Sequence, residues 1–308
     1  MKFSNNISLI CTVYNEANNI SAFLDSISSQ SVLPGEFIIV DGGSTDGTAE
    51  LVQQYLSTGN LTGIGKLIID PSCNKKHSKG PIAKARNLAI SACKNEIIAV
   101  TDAGCILKGD WLENITAPLV KDSTIDVVCG WYEPLASTFW QQSIAWVIMV
   151  PPENVSEESS IPSSRSIAFR KKSWKEVGGY SEDSYSSEDT KFFLELKRRG
   201  CRIAWRQDAI VLWKVPSNLK WFLWLNYKYG MGDGANKMLW YHLFVNLGKL
   251  SMSIIFLGLG FLFHGIFLFL FIALWGGLII VRRPEDSIKL SNIIKMPIII
   301  AAKIVYDT

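Results

Sequence analysis

Between residue 7 and about residue 215 the chain alternates short apolar runs with stretches whose apolar positions recur at helical spacing. Apolar runs of about four to eight residues bounded by Gly, Asp or Ser read as buried strands, and the amphipathic stretches between them as helices. The pattern predicts strands at 7–13, 37–41, 67–70, 97–101 and 127–131, with helices at 17–29, 48–55, 82–91 and 110–119. Further strands are expected at 166–169, 202–205 and 210–213, and helices at 172–177 and 190–199, the second ended by Gly200. Such alternation is the signature of an α/β fold, a mainly parallel mixed sheet flanked by helices. Residues 151–164, rich in Pro, Ser and Glu, read as a surface loop.

The pattern changes near residue 216. Residues 221–230 mix aromatics with Lys220 and Lys228, which reads as an interfacial segment or as ordinary core. Thirty-two consecutive residues without a charge follow, Leu250 to Val281. That exceeds the ~20 residues needed to cross a bilayer. A transmembrane helical hairpin accounts for the run: one span at 245–263, a turn at His264-Gly265 and a second span at 266–281. Lys249 sits at the entry and Arg282 and Arg283 close the exit, so both ends are expected in the cytoplasm. The second span is short, which leaves a re-entrant hairpin open. The expected organisation is a catalytic-type domain at 1–215, an interfacial linker at 216–242, the hairpin at 243–281 and an amphipathic cytoplasmic tail at 282–308.

Composition narrows the classes. A net charge of +3 gives no broad basic face, so nucleic acid is not an expected partner. The six cysteines are scattered without a Cys-x-x-Cys pair, which argues against a disulfide framework or a zinc site. The first apolar run is short and followed at once by Glu16, which suits a buried first strand better than a signal peptide.

Three strand ends carry the candidate chemistry. The first ends in Thr12-Val13-Tyr14-Asn15-Glu16, the second in Val40-Asp41-Gly42-Gly43-Ser44-Thr45-Asp46-Gly47-Thr48, and the fourth in Thr101-Asp102-Ala103-Gly104. Open α/β sheets bind ligands at the carboxyl ends of their strands. Helix capping accounts for Asp46 and Thr48 but leaves Asp41 unexplained. A stacking ring at Tyr14 and hydrogen bonds from Asp41 suit a nucleobase, and Asp102 suits a ribose, a divalent cation or both. No Gly-x-Gly-x-x-Gly follows the first strand, which disfavours a dinucleotide oxidoreductase.

These motifs, with Ala-Lys-Ala-Arg-Asn at 83–87, Gly178-Gly179-Tyr180 and Glu188-Asp189, make the chain resemble an inverting family 2 glycosyltransferase. The resemblance implies a GT-A nucleotide-sugar-binding fold over residues 7–215. It implies donor contacts from Thr12, Tyr14, Glu16, Asp41, Gly43, Arg86 and Asp102, with Arg86 near the base or diphosphate. It implies Asp189 as catalytic base beside Glu188, and an acceptor side formed by Trp131, Gly179 and Tyr180. The family's metal motif is commonly Asp-x-Asp, and here its last position is Gly104. Asp102 alone is left to hold Mg²⁺ or Mn²⁺.

The implied function is transfer of a sugar from a nucleoside diphosphate sugar to a lipid-linked or other glycan acceptor, by a protein of the cell inner membrane with its catalytic domain in the cytoplasm. Transfer to polyprenyl phosphate and a non-catalytic nucleotide-sugar-binding subunit remain alternatives. A processive synthase is disfavoured, because the Gln-x-x-Arg-Trp signature is absent. Residues 229–234, rich in Gly, read either as a gate over bound sugar or as a hinge.

Overall fold

The computed structural model describes residues 2–149, 160–183 and 185–235, and isolated positions beyond them. Two compact units divide the chain: residues 1–133 with 152–214, and residues 134–151 with 215–308. The pattern of strands and helices expected from the sequence holds for most of the first unit, with the helices flanking one mixed sheet. Its strands are β1 (Lys2–Val13), β2 (Val32–Asp41), β3 (Gly65–Ile69), β4 (Ile97–Val100), β5 (Cys105–Leu107), β6 (Val127–Leu135), β7 (Ile167–Arg170) and β8 (Ile203–Lys214), in the order β3-β2-β1-β4-β7-β6-β8-β5. The four strands from β3 to β4 are parallel. β7 joins β4 antiparallel, β6 joins β7 antiparallel, and β5 pairs antiparallel with β8.

Side-chain alternation along β1 explains why this sheet has two cores. Ile7, Leu9, Cys11 and Val13 point to one face and pack with α1 (Ile20–Ser28), α2 (Thr48–Thr58) and α4 (Trp111–Lys121). Ile10, with Ile38 and Val40 of β2, points to the other face, against α3 (Pro81–Ala92) and α7 (Glu188–Arg198). Strands buried on both faces read as continuous apolar runs, as these do. In α1 the buried residues Ile20, Phe23, Leu24 and Ile27 recur at i, i+3, i+4 and i+7, one stripe of a helix. Pro81 opens α3, where a missing N–H costs nothing. Gly200 ends α7 at φ +76°, a conformation open to glycine.

Several expectations are corrected. The strands expected at 202–205 and 210–213 are one continuous strand, β8, because Gln207 and Asp208 between them are exposed and extended rather than a turn. The short strand β5 and the helix α5 (Phe139–Ile148) were not foreseen. The start of α5 carries a capping box, Thr138 and Gln141 bonding each other's backbone N–H groups. A short helix, α6 (Lys171–Glu176), follows β7 as expected. Residues 134–151, placed by the sequence within the first domain, group with the second unit.

In the second unit Gln141 also donates to the Val215 carbonyl at 3.1 Å. The Gly-rich stretch 229–234 is helical, part of α8 (Leu219–Ala235). The hairpin at 243–281 and the tail at 282–308 lie outside the described residues but for isolated positions. Among the described residues no helix is long and apolar enough to cross a membrane.

Candidate active site

Because β2, β1 and β4 are parallel neighbours, their carboxyl ends lie side by side, with Val13 opposite Asp41 in register. The loops after β1 and β2 are laced together. Asn15 N–H donates to Ser44 Oγ at 2.9 Å, Glu16 N–H to Thr48 Oγ1 at 2.9 Å, and Ala17 N–H to Asp46 Oδ2 at 3.0 Å. In return Thr45 N–H donates to Asn15 Oδ1 at 2.9 Å. Asn15 holds φ +55°, which a short polar side chain tolerates better than most. Gly42 is required by close approach: a Cβ there would stand 2.8 Å from the Cys73 carbonyl oxygen and 3.6 Å from the Tyr14 ring.

Asp41 is fully buried at the floor of this edge. Its Oδ1 accepts from Ser44 N–H at 2.6 Å, while Oδ2 has no hydrogen-bond partner among the described residues. A buried, unpaired carboxylate oxygen demands an explanation, and a ligand donor supplies one. Tyr14 is 38% exposed, so its ring is open to stacking. Thr12 is half-buried and paired with Val40. Gly43, at φ +82°, packs against Pro71 and shapes the turn. Glu16 turns aside: its carboxylate accepts from Asn19 Nδ2 at 2.8 Å, and its carbonyl receives the first N–H groups before α1. Burial raises the Glu16 pKa, with Asp102 and Asp46 adding to the effect and Asn19 opposing it.

Arg86 is the centre of the second half of the site. α3 carries it under the sheet edge, where it is 3% exposed. Nη1 bonds Glu188 Oε1 and Nη2 bonds Asp102 Oδ1, each at 2.7 Å, and the guanidinium lies 5.3 Å from the Tyr180 ring centroid. Burial pulls the Asp102 pKa upward, but Arg86 and Arg165 outweigh it and hold this carboxyl below its usual range. Glu188 goes the other way: burial raises it, Asp189 adds to that, and Arg86 opposes. Two of the three Arg86 nitrogens are thus engaged by carboxylates, while its buried Nε has no hydrogen-bond partner among the described residues.

Asp189 lies in the first turn of α7, entered through Ser187 at φ +62°. Its Oδ2 accepts from Ser163 Oγ at 3.2 Å and from Ser164 N–H at 3.3 Å, and its Oδ1 from Thr190 N–H at 2.9 Å. The acceptor-side residues separate. Tyr180 is 1% exposed, stacked on Phe192 and bonded to Ser164 Oγ at 2.9 Å, so it backs Arg86 rather than facing an acceptor. Gly179, at φ +79°, closes on Trp174 and Asn87. Trp131 remains half-buried beside Tyr132.

Sequence reasoning assigned no role to Asn87, Ser163 or Arg165. Asn87 Oδ1 accepts from Tyr180 N–H at 2.9 Å and Trp174 Nε1 at 3.1 Å, while Nδ2 donates to the Tyr180 carbonyl at 2.8 Å. Its position next to Arg86 on α3 was the available signal.

A divalent cation fits Asp102 in one respect. Its side chain is 32% exposed and Arg86 occupies Oδ1, which leaves Oδ2 for a ligand. Among the described residues no group of three or more His, Cys, Asp or Glu side chains could hold a metal ion. Open space surrounds the position a Cβ would take at Gly104, so packing does not require a glycine there.

Glycosyltransferase AglE of Haloferax volcanii is 26% identical to the chain over 210 residues, 66% of this chain and 65% of AglE. O-antigen chain rhamnosyltransferase RfbN of Salmonella typhimurium is 24% identical over 222 residues, 67% of this chain and 65% of RfbN. The chain therefore spans less than two thirds of the length of these curated relatives. Among solved structures, mannosyltransferase PcManGT from Pyrobaculum calidifontis in complex with GDP-Man and Mn²⁺ superposes with a TM-score of 0.64, covering 98% of this chain and 88% of that one at 18% identity. That likeness establishes a GT-A-like fold. Residues 97–282 match the description Glycosyl transferase family group 2. Residues 8–174, more than half of the chain, match Glycosyl transferase family 2, and the chain belongs to that family.

Proposed function

We propose that the chain is a membrane-attached inverting glycosyltransferase. It moves a sugar from a nucleoside diphosphate sugar to a hydroxyl of a lipid-linked glycan in surface polysaccharide synthesis, at the cytoplasmic face of the cell inner membrane. The observation that carries the reading is the orphaned, buried Asp41 Oδ2 beside the open Tyr14 ring. An acceptor oxygen and a stacking face together suit a nucleobase with an N–H edge. The relatives AglE and RfbN are a glycosyltransferase and an O-antigen chain rhamnosyltransferase, and PcManGT is a mannosyltransferase in complex with GDP-Man and Mn²⁺. The uncharged run from Leu250 to Val281 supports the membrane and the lipid-linked acceptor.

In the reaction the acceptor hydroxyl oxygen attacks the anomeric carbon as the bond from that carbon to the diphosphate breaks. The hydroxyl proton passes to Asp189, whose carboxylate is held by three donors from Ser163, Ser164 and Thr190. Nucleoside diphosphate leaves with the bonding electron pair, and the anomeric configuration inverts. Asp102 Oδ2 would hold a divalent cation, which offsets charge developing on the diphosphate. Arg86 keeps Asp102 and Glu188 apart and fixed between the leaving-group side and the base side.

Thermal stabilisation of the detergent-purified chain across UDP-, GDP-, dTDP- and CMP-sugars, with and without Mn²⁺, tests donor binding. A shift with one nucleotide is expected, and none with any donor would refute the reading. Asp189→Asn should keep that shift and lose about a hundredfold or more in transfer. Full turnover by this variant would remove Asp189 as the base.

A further inference from the structure

Ser163, one of the three donors to Asp189, and Arg165 lie just before β7, and the contact between the two has been given no role so far. Ser163 Oγ donates to Asp189 Oδ2 at 3.2 Å. A serine hydroxyl has one proton and two lone pairs. Arg165 faces those lone pairs twice, with Nη1 donating to Ser163 Oγ at 2.9 Å and its backbone N–H at 3.4 Å. With both acceptor directions taken, the hydroxyl proton is directed to Asp189. Arginine carries donors and no acceptor, so this order of donation cannot reverse.

The guanidinium is itself held. It lies 4.5 Å from the Trp213 ring centroid and 5.6 Å from that of Tyr132, on β8 and β6. Cations are drawn to the faces of such rings, and a planar guanidinium stacks on them. Two sheet strands thereby fix Arg165, Arg165 fixes Ser163, and Ser163 fixes the carboxylate.

We propose that Arg165 is a positioning residue for the general base: clamped by Trp213 and Tyr132, it sets the Ser163 hydroxyl, which holds the Asp189 carboxylate in one orientation. This rests on the reading of Asp189 as the base. A rival role for the same guanidinium is direct contact with the donor diphosphate, and the two differ in what they do to donor affinity.

The test uses the full chain in detergent with Ser163→Ala, Arg165→Lys and Arg165→Ala, each alone and combined with Asp189→Asn. Donor affinity is read by thermal-shift titration. Turnover is read as nucleoside diphosphate released from UDP-glucose, UDP-galactose, GDP-mannose or dTDP-rhamnose, with water as acceptor. Ser163→Ala and Arg165→Ala are expected to lower kcat by about ten- to a hundredfold, the cost of a misplaced catalytic group. Donor affinity should stay within about twofold, and Arg165→Lys, which keeps the charge and a donor, should recover part of kcat. In the Asp189→Asn background neither substitution should lower the residual rate further.

Weakened donor affinity with unchanged kcat would overturn the proposal in favour of diphosphate contact. Losses that add to that of Asp189→Asn would also overturn it. If Arg165→Ala does not fold, Ser163→Ala, which deletes one hydroxyl, decides. An inactive Asp189→Asn with a normal Ser163→Ala refutes this inference alone. A fully active Asp189→Asn, or a native chain that turns over no donor, refutes the reading beneath it as well.

Discussion

Replacing Arg86 by methionine removes the cation between Glu188 and Asp102 while keeping an unbranched side chain to fill its space. Arg86 and Glu188 side chains are 3% and 8% exposed, so this pair is buried. Removing one partner of a buried pair costs about 3–5 kcal/mol, because it leaves an uncompensated charge. The Asp102 side chain is 32% exposed, so its lost pairing is worth nearer the surface value of ~0–1 kcal/mol. The expected loss is therefore about 3–5 kcal/mol, nearly all from Glu188, out of a typical ~5–15 kcal/mol.

The loss should depend on pH, and its sign follows from both carboxyls. Glu188 is raised in the folded protein by burial, against the opposing pull of Arg86. A raised carboxyl contributes its stability below its unfolded pKa and loses it as pH rises through the folded value, and removing Arg86 enlarges that loss. Asp102 is held low by Arg86 and Arg165 against burial, so its pairing stabilises above the unfolded pKa and fades as pH falls through the folded one. Both effects make the deficit of Arg86→Met smallest at acid pH and largest by neutral pH. Urea unfolding followed by tryptophan fluorescence, from about pH 4 to pH 8, reads this across the carboxylate range. Adding Glu188→Gln should restore most of the loss at neutral pH. A deficit below about 1 kcal/mol, the size of an ordinary substitution, would refute the reasoning. So would a deficit flat in pH, or a double variant no better than the single.

Other positions give independent checks. Tyr14→Ala should weaken nucleotide-sugar binding by ~1–3 kcal/mol, the worth of one base–aromatic stack, while Tyr14→Phe changes little; titration of the purified chain with donor separates them. Gly42→Ala would press a Cβ to 2.8 Å from the Cys73 carbonyl oxygen, backbone that cannot swing away, and should destabilise by ~1–3 kcal/mol with a lowered Tm. Asn87→Ala strips the Tyr180 N–H and carbonyl and the Trp174 Nε1 of their partner and should cost ~1–3 kcal/mol in urea unfolding; an unchanged midpoint would show that the 179–182 turn stands without it.

The sheet was legible because its strands are buried on both faces. Apolar runs at Leu9–Val13 and Phe37–Val40 have no other use, and each ends where polar residues begin. β5 escaped notice because its three residues, Cys105–Leu107, are too short to show a period. β8 was split in two because Gln207 and Asp208 break the apolar run without breaking the extended backbone. The start of α5 was written in the sequence as Thr138 followed three residues later by Gln141, a signature easily passed over before a short helix.

By itself, the sequence determined which residues could carry chemistry and that three strand ends would carry it, since a carboxylate after an apolar run has few structural uses. Asp41 and Asp102 could be named on that basis, and Asp189 only through the resemblance carried by the Glu188-Asp189 pair. What each group faces was decided by the tertiary structure. Arg86 and Glu188 stand 102 positions apart, Arg86 and Asp102 only 16, yet one guanidinium spans both carboxylates at 2.7 Å. Tyr180 fell behind that guanidinium rather than into the cleft, and Ser163 came to rest on Asp189 across 26 positions. Periodicity reports which face a residue takes on its own element. Pairings among distant polar groups depend on how elements pack, and they are set only when burial makes an unpaired charge too costly to leave.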